Sequence, residues 1–191
     1  QNCTASINSG PGQPRMGLGS WLPDGSGFIY VTSYSQRDGQ HSVDDVCVWD
    51  MRQQTTTQCL VERGENYLQA VWSPIATDYV AFYRLDGDLD REFVTVIRAS
   101  SRQIMYETDR ALLKSGTAER LLAWHPNGRQ ILVVDASKAR QEVIVVDVET
   151  KTRRVIATFA GEDKDYLIKG LWVQQGANVV LSLVDPIYYR A

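Results

Sequence analysis

Two histidines, three cysteines and one run of alternating carboxylates are the residues of this 191-residue chain best placed to do chemistry. The carboxylates lie in Asp86-Gly87-Asp88-Leu89-Asp90-Arg91-Glu92. Acidic side chains at alternate positions suit Ca²⁺, a hard cation that wants several oxygens, so Asp86, Asp88 and Asp90 form a weak calcium candidate. An EF-hand loop requires Gly at its sixth place and Glu at its twelfth. Arg91 and Ile97 stand there instead. The run is therefore expected to be an acidic, solvated hairpin loop. His41 sits in a polar stretch, and His125 occupies a place that Ser73 fills in an equivalent phrase. No G-x-S-x-G, Cys-x-x-Cys or H-E-x-x-H pattern occurs. Gly17-Leu18-Gly19 precedes a strand-like run instead of opening a helix, which argues against a phosphate cradle. The expectation is a chain with no catalytic residue, metal or cofactor.

The cysteines point to structure and compartment. Cys47 and Cys59 flank a predicted hairpin. A two-residue turn at Gln53-Gln54 places Cys47 opposite Leu60, and a three-residue turn places it opposite Cys59. A Cys47–Cys59 disulfide and three free or buried thiols therefore both stay open. Asn2-Cys3-Thr4 fits the N-glycosylation pattern at Asn2. The chain opens on Gln1 without an initiator Met or an apolar leader, as a processed mature form or an excised piece would. An N-terminal Gln favours export, which suggests an extracellular or periplasmic location.

The elements that hold these residues follow from a repeat. Trp21, Trp72, Trp124 and Trp172 lie 51, 52 and 48 residues apart. Each opens a similar phrase: Trp21-Leu22-Pro23-Asp24-Gly25, Trp72-Ser73-Pro74, Trp124-His125-Pro126-Asn127-Gly128, and Trp172-Val173-Gln174-Gln175-Gly176. A period of about 50 residues marks a repeat architecture. After each phrase comes a short apolar run: Phe28-Ile29-Tyr30-Val31, Tyr79-Val80-Ala81-Phe82-Tyr83, Ile131-Leu132-Val133-Val134 and Val179-Val180-Leu181-Ser182-Leu183. Their length, β-branching and Gly/Pro/Asn/Asp punctuation predict strands with both faces covered. Second runs end at Asp50, Arg98 and Asp147, again at the repeat period, and third runs follow a polar turn. With the short strand that ends at each tryptophan, every unit holds four strands.

Four antiparallel strands in about 50 residues make a β-propeller blade. The expected fold is all-β, with three complete repeats plus a partial fourth. Residues 17–66, 67–119 and 120–166 form blades 1 to 3, and residues 167–191 form a partial blade 4. Residues 1–16 form a flexible head or a closing strand. Residues 187–189 are a candidate third strand of blade 4. Residues 109–113, good helix formers able to make a single turn, are taken as a loop insertion. Each tryptophan is expected to pack its ring between neighbouring blades.

The phrases resemble the TolB-type, or PD40, propeller repeat, a WD40-like unit. That family's blade carries a W-S-P-D-G turn, an I-x-Y/F-x-S strand, a strand ending in Asp and a closing hairpin. Trp21-Leu22-Pro23-Asp24-Gly25 with Phe28-Ile29-Tyr30-Val31-Thr32-Ser33 matches it, as does Trp124-His125-Pro126-Asn127-Gly128 through Asp147. The second repeat departs at Ile75-Ala76-Thr77-Asp78, and the fourth keeps only Trp172 and Gly176. Trp49-Asp50 resembles a WD40 dipeptide but has no preceding Gly-His partner. The resemblance spans roughly residues 17 to 183. It implies blade architecture and leaves function open, because the family includes periplasmic envelope proteins and blades that cap serine peptidases.

A net charge of −3 argues against a nucleic-acid or anionic-membrane surface. No apolar run approaches the roughly 20 residues of a membrane span. The basic clusters at Lys138 and Arg140 and at Lys151, Arg153 and Arg154 are expected to be solvated turns. The leading expectation is a non-enzymatic interaction or scaffold module within a larger exported or envelope protein. Its contacts would be protein partners met by the long connections at residues 34–45 and 108–120. The remaining blades, or a neighbouring subunit, would complete the ring. Two alternatives remain: an accessory propeller of a serine peptidase or other enzyme encoded elsewhere in a longer chain, and a self-assembling subunit completed by strand exchange.

Overall fold

In the computed structural model, residues 15–16, 19–35, 42–64, 67–75, 78–86, 91–108, 112–113, 122–137, 140–160 and 167–184 are described. They form strands almost throughout, in four antiparallel sheets that follow one another along the chain.

Sheet one holds β1 (Arg15–Met16), β2 (Ser20–Trp21), β3 (Gly27–Ser35), β4 (Ser42–Asp50) and β5 (Thr55–Gly64). Both β1 and β2 pair with β3. Arg15 and Met16, within the stretch read from the sequence as a flexible head or a closing strand, pair with β3 in sheet one. Sheet two runs β6 (Tyr67–Trp72), β7 (Tyr79–Asp86), β8 (Arg91–Arg98), β9 (Gln103–Glu107), with β10 (Leu112–Leu113) also on β8. Leu112 and Leu113 are therefore extended and paired with Glu92 and Arg91, not in a helical turn or a free loop. Joining a sheet edge satisfies their backbone groups, which outweighs the weak helical propensity of that stretch. Sheet three runs β11 (Leu122–Trp124), β12 (Gln130–Ser137), β13 (Arg140–Asp147), β14 (Arg153–Ala160). Sheet four pairs β15 (Leu167–Val173) with β16 (Asn178–Val184) through a single 3₁₀ turn at Gln174–Gly176. The candidate third strand at residues 187–189 lies outside the described residues.

The sheets stack face to face. Ile29, Val31, Val46, Val48 and Leu60 of sheet one meet Ala70, Val80, Phe82 and Ile97 of sheet two. The opposite face of sheet two, with Tyr79, Ala81, Tyr83, Val94 and Val96, meets Leu122, Ile131, Val133, Ile144 and Val146 of sheet three. Leu132, Val143 and Val145, on the far side of sheet three, meet Trp172, Val179 and Leu181. The two inner sheets bury both faces, which is why their strands are apolar at consecutive positions. This is the arrangement of propeller blades.

Side-chain carboxylates close the hairpins. Asp50 Oδ1 accepts from the N–H groups of Arg52 (2.7 Å) and Gln53 (2.9 Å). Asp147 Oδ1 does the same for Glu149 (3.1 Å) and Thr150 (2.9 Å). Sheet two carries Arg98 at that place, and Asp78 Oδ2 on the neighbouring strand connection takes over, accepting from Ser100 N–H at 2.9 Å. Gln54, Arg102 and Lys151 then take left-handed backbone angles to re-enter the outer strand.

The β4–β5 turn differs from both lengths expected. Asp50 pairs with Thr55, so Met51 to Gln54 make a four-residue loop. A bulge between Val48 and Trp49 shifts the register by one, and Cys47 comes opposite Cys59.

Candidate functional site: the contacts between blades

The tryptophan phrase begins with strand geometry. A strand delivers the indole to the sheet face, and the Pro-Asp-Gly or Pro-Asn-Gly turn then reverses the chain. Gly25 N–H donates to Leu22 O (3.0 Å), and Gly128 N–H donates to His125 O (2.9 Å). Gly25 and Gly128 both have φ near +70°, the left-handed region that glycine enters without strain. Asp24 Oδ1 accepts from the backbone N–H and the hydroxyl of Ser26, which holds the Asp24 carboxyl below the usual carboxylate range. Asn127 Oδ1 plays the same part for Arg129 and Gln130 N–H.

The phrase also builds the joints between sheets. Trp124 Nε1 donates to Val71 O at 3.1 Å, and Trp172 Nε1 donates to Ala123 O at 3.1 Å. Each indole therefore reaches the carbonyl of the residue just before the preceding tryptophan. A second bond runs the other way, from the residue just after a tryptophan to the turn glycine of the next sheet. Ser73 Oγ donates to Gly128 O at 3.2 Å. His125 Nε2 lies 3.2 Å from Gly176 O. Because His125 Nδ1 accepts from Asn127 N–H (2.9 Å), its proton is on Nε2 and is donated to Gly176. The Trp172 ring meets the His125 ring edge-on at 4.5 Å.

The joint between sheets one and two is different. Leu22 stands where Ser73 and His125 stand later and packs in the apolar cluster. Ser20 Oγ instead accepts from the main-chain N–H of Trp72 at 2.7 Å. A polar chain adds to the joint between sheets two and three. Arg98 donates to Tyr79 OH, which donates to Glu149, which pairs with Arg129. Tyr79 also stacks on Trp124, with ring centroids 6.4 Å apart.

Trp21 departs from the expectation for its class. It is 57% exposed, since among the described residues no sheet precedes it. It touches Phe28 edge-on, and Phe28 in turn contacts Tyr30 and Trp49. Of these four rings only Trp21 is exposed; Phe28 and Trp49 are half-buried and Tyr30 is buried.

Cys47 and Cys59 are bonded to each other across β4 and β5. Asp45 lies beside them, with ligand atoms within 4.8 Å of both sulfurs. The disulfide leaves neither sulfur as a thiolate, so the trio lacks the charge a Zn²⁺ site needs. Asp86 ends β7 opposite Arg91. Asp88, Asp90, Asn2, Cys3, His41 and most of the two long connections lie outside the described residues. Among the described residues no helix is long and apolar enough to cross a membrane. Sequence reasoning missed the reciprocal hydrogen bonds between sheets. Their signal was present as a donor after the tryptophan in two phrases, Ser73 and His125.

No protein-family profile and no curated protein matches the chain. Solved structures do. The β-propeller domain of the Trilobed protease from Pyrococcus furiosus superposes with a TM-score of 0.61 at 14% identity, over 88% of this chain and 48% of that one. An oligogalacturonate lyase in complex with manganese gives 0.64 at 12% identity, over 93% and 49%. A protein from Agrobacterium tumefaciens described as a TolB gives 0.56 at 12% identity, over 91% and 58%. The chain has a TolB-like β-propeller fold and spans about half the length of these structures.

Proposed function

We propose that the chain is a non-enzymatic interaction or scaffold module, a set of propeller blades belonging to a larger exported or envelope protein. The supporting observation is the exposed large apolar side chains on the two outermost sheets. These are Trp21 on sheet one, and Leu171 with Val180 on sheet four. Exposed apolar side chains of this kind mark surfaces that proteins cover with a partner. The Cys47–Cys59 disulfide supports the exported setting, because such bonds persist in oxidising compartments. The test is a pull-down from the native envelope or medium, with the Trp21→Ala chain as control. Specific protein capture that depends on Trp21 supports the reading, and no protein partner at micromolar concentration removes it.

A second reading, a propeller carried by an enzyme whose catalytic part lies elsewhere in a longer chain, draws on the likeness to the Trilobed protease domain. Flanking coding sequence tests it: an α/β-hydrolase segment with its G-x-S-x-G elbow would decide for this reading.

A further inference from the structure

One face of sheet one gathers sulfur and oxygen. Val46, Val48 and Leu60 point into the apolar layer against sheet two. Side chains alternate along a strand, so Asp45 and Cys47 of β4 share the opposite face. Cys59 of β5 stands directly across from Cys47. On the other side of β4, Tyr30 and Thr32 of β3 stand across from Cys47 and Asp45, and both are buried. The two sulfurs and an Asp45 carboxylate oxygen lie within 4.8 Å of one another. Zn²⁺ holds thiolates at about 2.3 Å and carboxylate oxygens at about 2.0–2.2 Å, so tetrahedral ligands of one ion stand roughly 3.5–3.8 Å apart. The three residues are thus gathered at close to ligand spacing, and the bond between the sulfurs withholds the two thiolate charges.

We propose that Asp45, Cys47 and Cys59 form a redox-gated site for a thiophilic divalent ion such as Zn²⁺, closed as the disulfide and open as the dithiol. This goes beyond the interaction reading and does not rest on it. An external dithiol supplies the two electrons. Its thiolate attacks the half-buried Cys59 sulfur, and the Cys47 sulfur, whose residue is 1% exposed, leaves and takes up a proton. The reductant's second thiol then attacks its own sulfur in the mixed disulfide. The reductant departs as a cyclic disulfide, and both cysteines remain as thiols. Binding of the ion releases one proton from each thiol and uses the ionised Asp45 carboxylate. Two thiolates, one carboxylate and a water give the four-coordinate arrangement in which one position stays open to solvent. The strands can admit the ion because β5 is irregular here. Its pairing with β4 shifts between Val46 and Cys47 and again between Val48 and Trp49, on both sides of the disulfide. Such bulges re-aim a side chain while the ladder holds on either side, so Cys59 can draw back from Cys47 to ligand spacing. In an oxidising compartment the site stays closed.

Zinc titration of the 191-residue chain carrying Cys3→Ser tests this, with and without prior reduction by a phosphine, which brings no thiolate of its own. The expected result is one Zn²⁺ per reduced chain and none per oxidised chain. Uptake should release two protons and raise the unfolding temperature of the reduced chain. Co²⁺ in place of Zn²⁺ should give a thiolate-to-metal charge-transfer band. Cys59→Ser should abolish uptake. Asp45→Asn should weaken it by about tenfold or more, the scale set by partners that only orient a ligand. Asp45→His, which restores a ligand, should recover it. A reduced chain that takes up no zinc, equal uptake by the oxidised chain, uptake that leaves the reduced chain unfolded, or an affinity indifferent to Asp45→Asn would overturn the proposal. Circular dichroism reports whether each variant keeps its strands. If Asp45→Asn loses them, Asp45→His decides: recovered zinc affinity supports the site, and its failure overturns it.

Discussion

Trp124 donates its indole hydrogen to the main-chain oxygen of Val71, 3.1 Å away and 53 residues earlier. The donor is in sheet three and the acceptor in sheet two, so one side chain both fills the gap between blades and fixes their offset. Trp172 repeats the relationship with Ala123. An indole does this where Leu would not, because it combines a large apolar surface with one directed donor.

Replacing Trp124 should therefore cost more than burial alone. Trp124→Phe keeps most of the packing and loses the bond, for roughly 1 kcal/mol. Trp124→Ala should lose about 3–5 kcal/mol. Trp21→Ala, on an exposed ring, should change stability by about 0.5 kcal/mol or less in dilute chain. Urea unfolding of the three variants checks the order. Equal losses at Trp21 and Trp124 would remove the joint as the explanation.

The turn glycines separate in the same way. Gly25 and Gly128 share a left-handed φ, but a Cβ at Gly25 meets nothing within 4 Å. A Cβ at Gly128 would overlap Ile75 Cγ1 and approach Ser73 Oγ to 2.7 Å. Gly25→Ala should cost about 1–2 kcal/mol from backbone strain. Gly128→Ala should add roughly 1–3 kcal/mol of overpacking and loosen the Ser73 bond. Thermal unfolding of the two variants is the measurement.

The disulfide closes a separation of 12 residues. Chain entropy assigns a crosslink of that size about 3 kcal/mol. Reduction, or the Cys47→Ala/Cys59→Ala pair, should lower stability by about that amount. Thiol titration of the unfolded, unreduced chain should find one thiol, that of Cys3. Three titratable thiols would contradict the bridge.

Acid should release the hairpins first. Burial alone would raise the Asp147 carboxyl, but the backbone and hydroxyl bonds from Thr150 and the N–H of Glu149 outweigh it and lower the group below 3.8. A depressed folded value contributes stability that is present above the unfolded value and lost as pH falls through the folded one. Unfolding free energy should therefore decline as pH drops below about 4. The decline should be smaller in Asp147→Asn, measured by denaturant titration at fixed ionic strength.

The all-β class and the succession of three full sheets and a partial fourth were legible because they are local. The tryptophan interval, the strand-length apolar runs and the terminal Asp50 and Asp147 each depend on a few neighbouring residues. The site was legible only in part. Ser73 and His125 looked like interchangeable fillers of one repeat position, yet they are donors to Gly128 and Gly176 in the next sheet.

What the chain determined by itself was the periodic alternation of strand and turn, since turn chemistry and side-chain alternation act over a handful of residues. Register and joints were decided by tertiary structure. The bulge at Val48 that sets Cys47 against Cys59, and the bonds from one blade to the next, depend on which backbone groups are left unpaired once whole sheets have docked. The partners in the blade-to-blade bonds lie about 50 residues apart, beyond the reach of any local pattern, and Trp21 shows the consequence: the same residue in the same phrase is exposed because no sheet precedes it among the described residues.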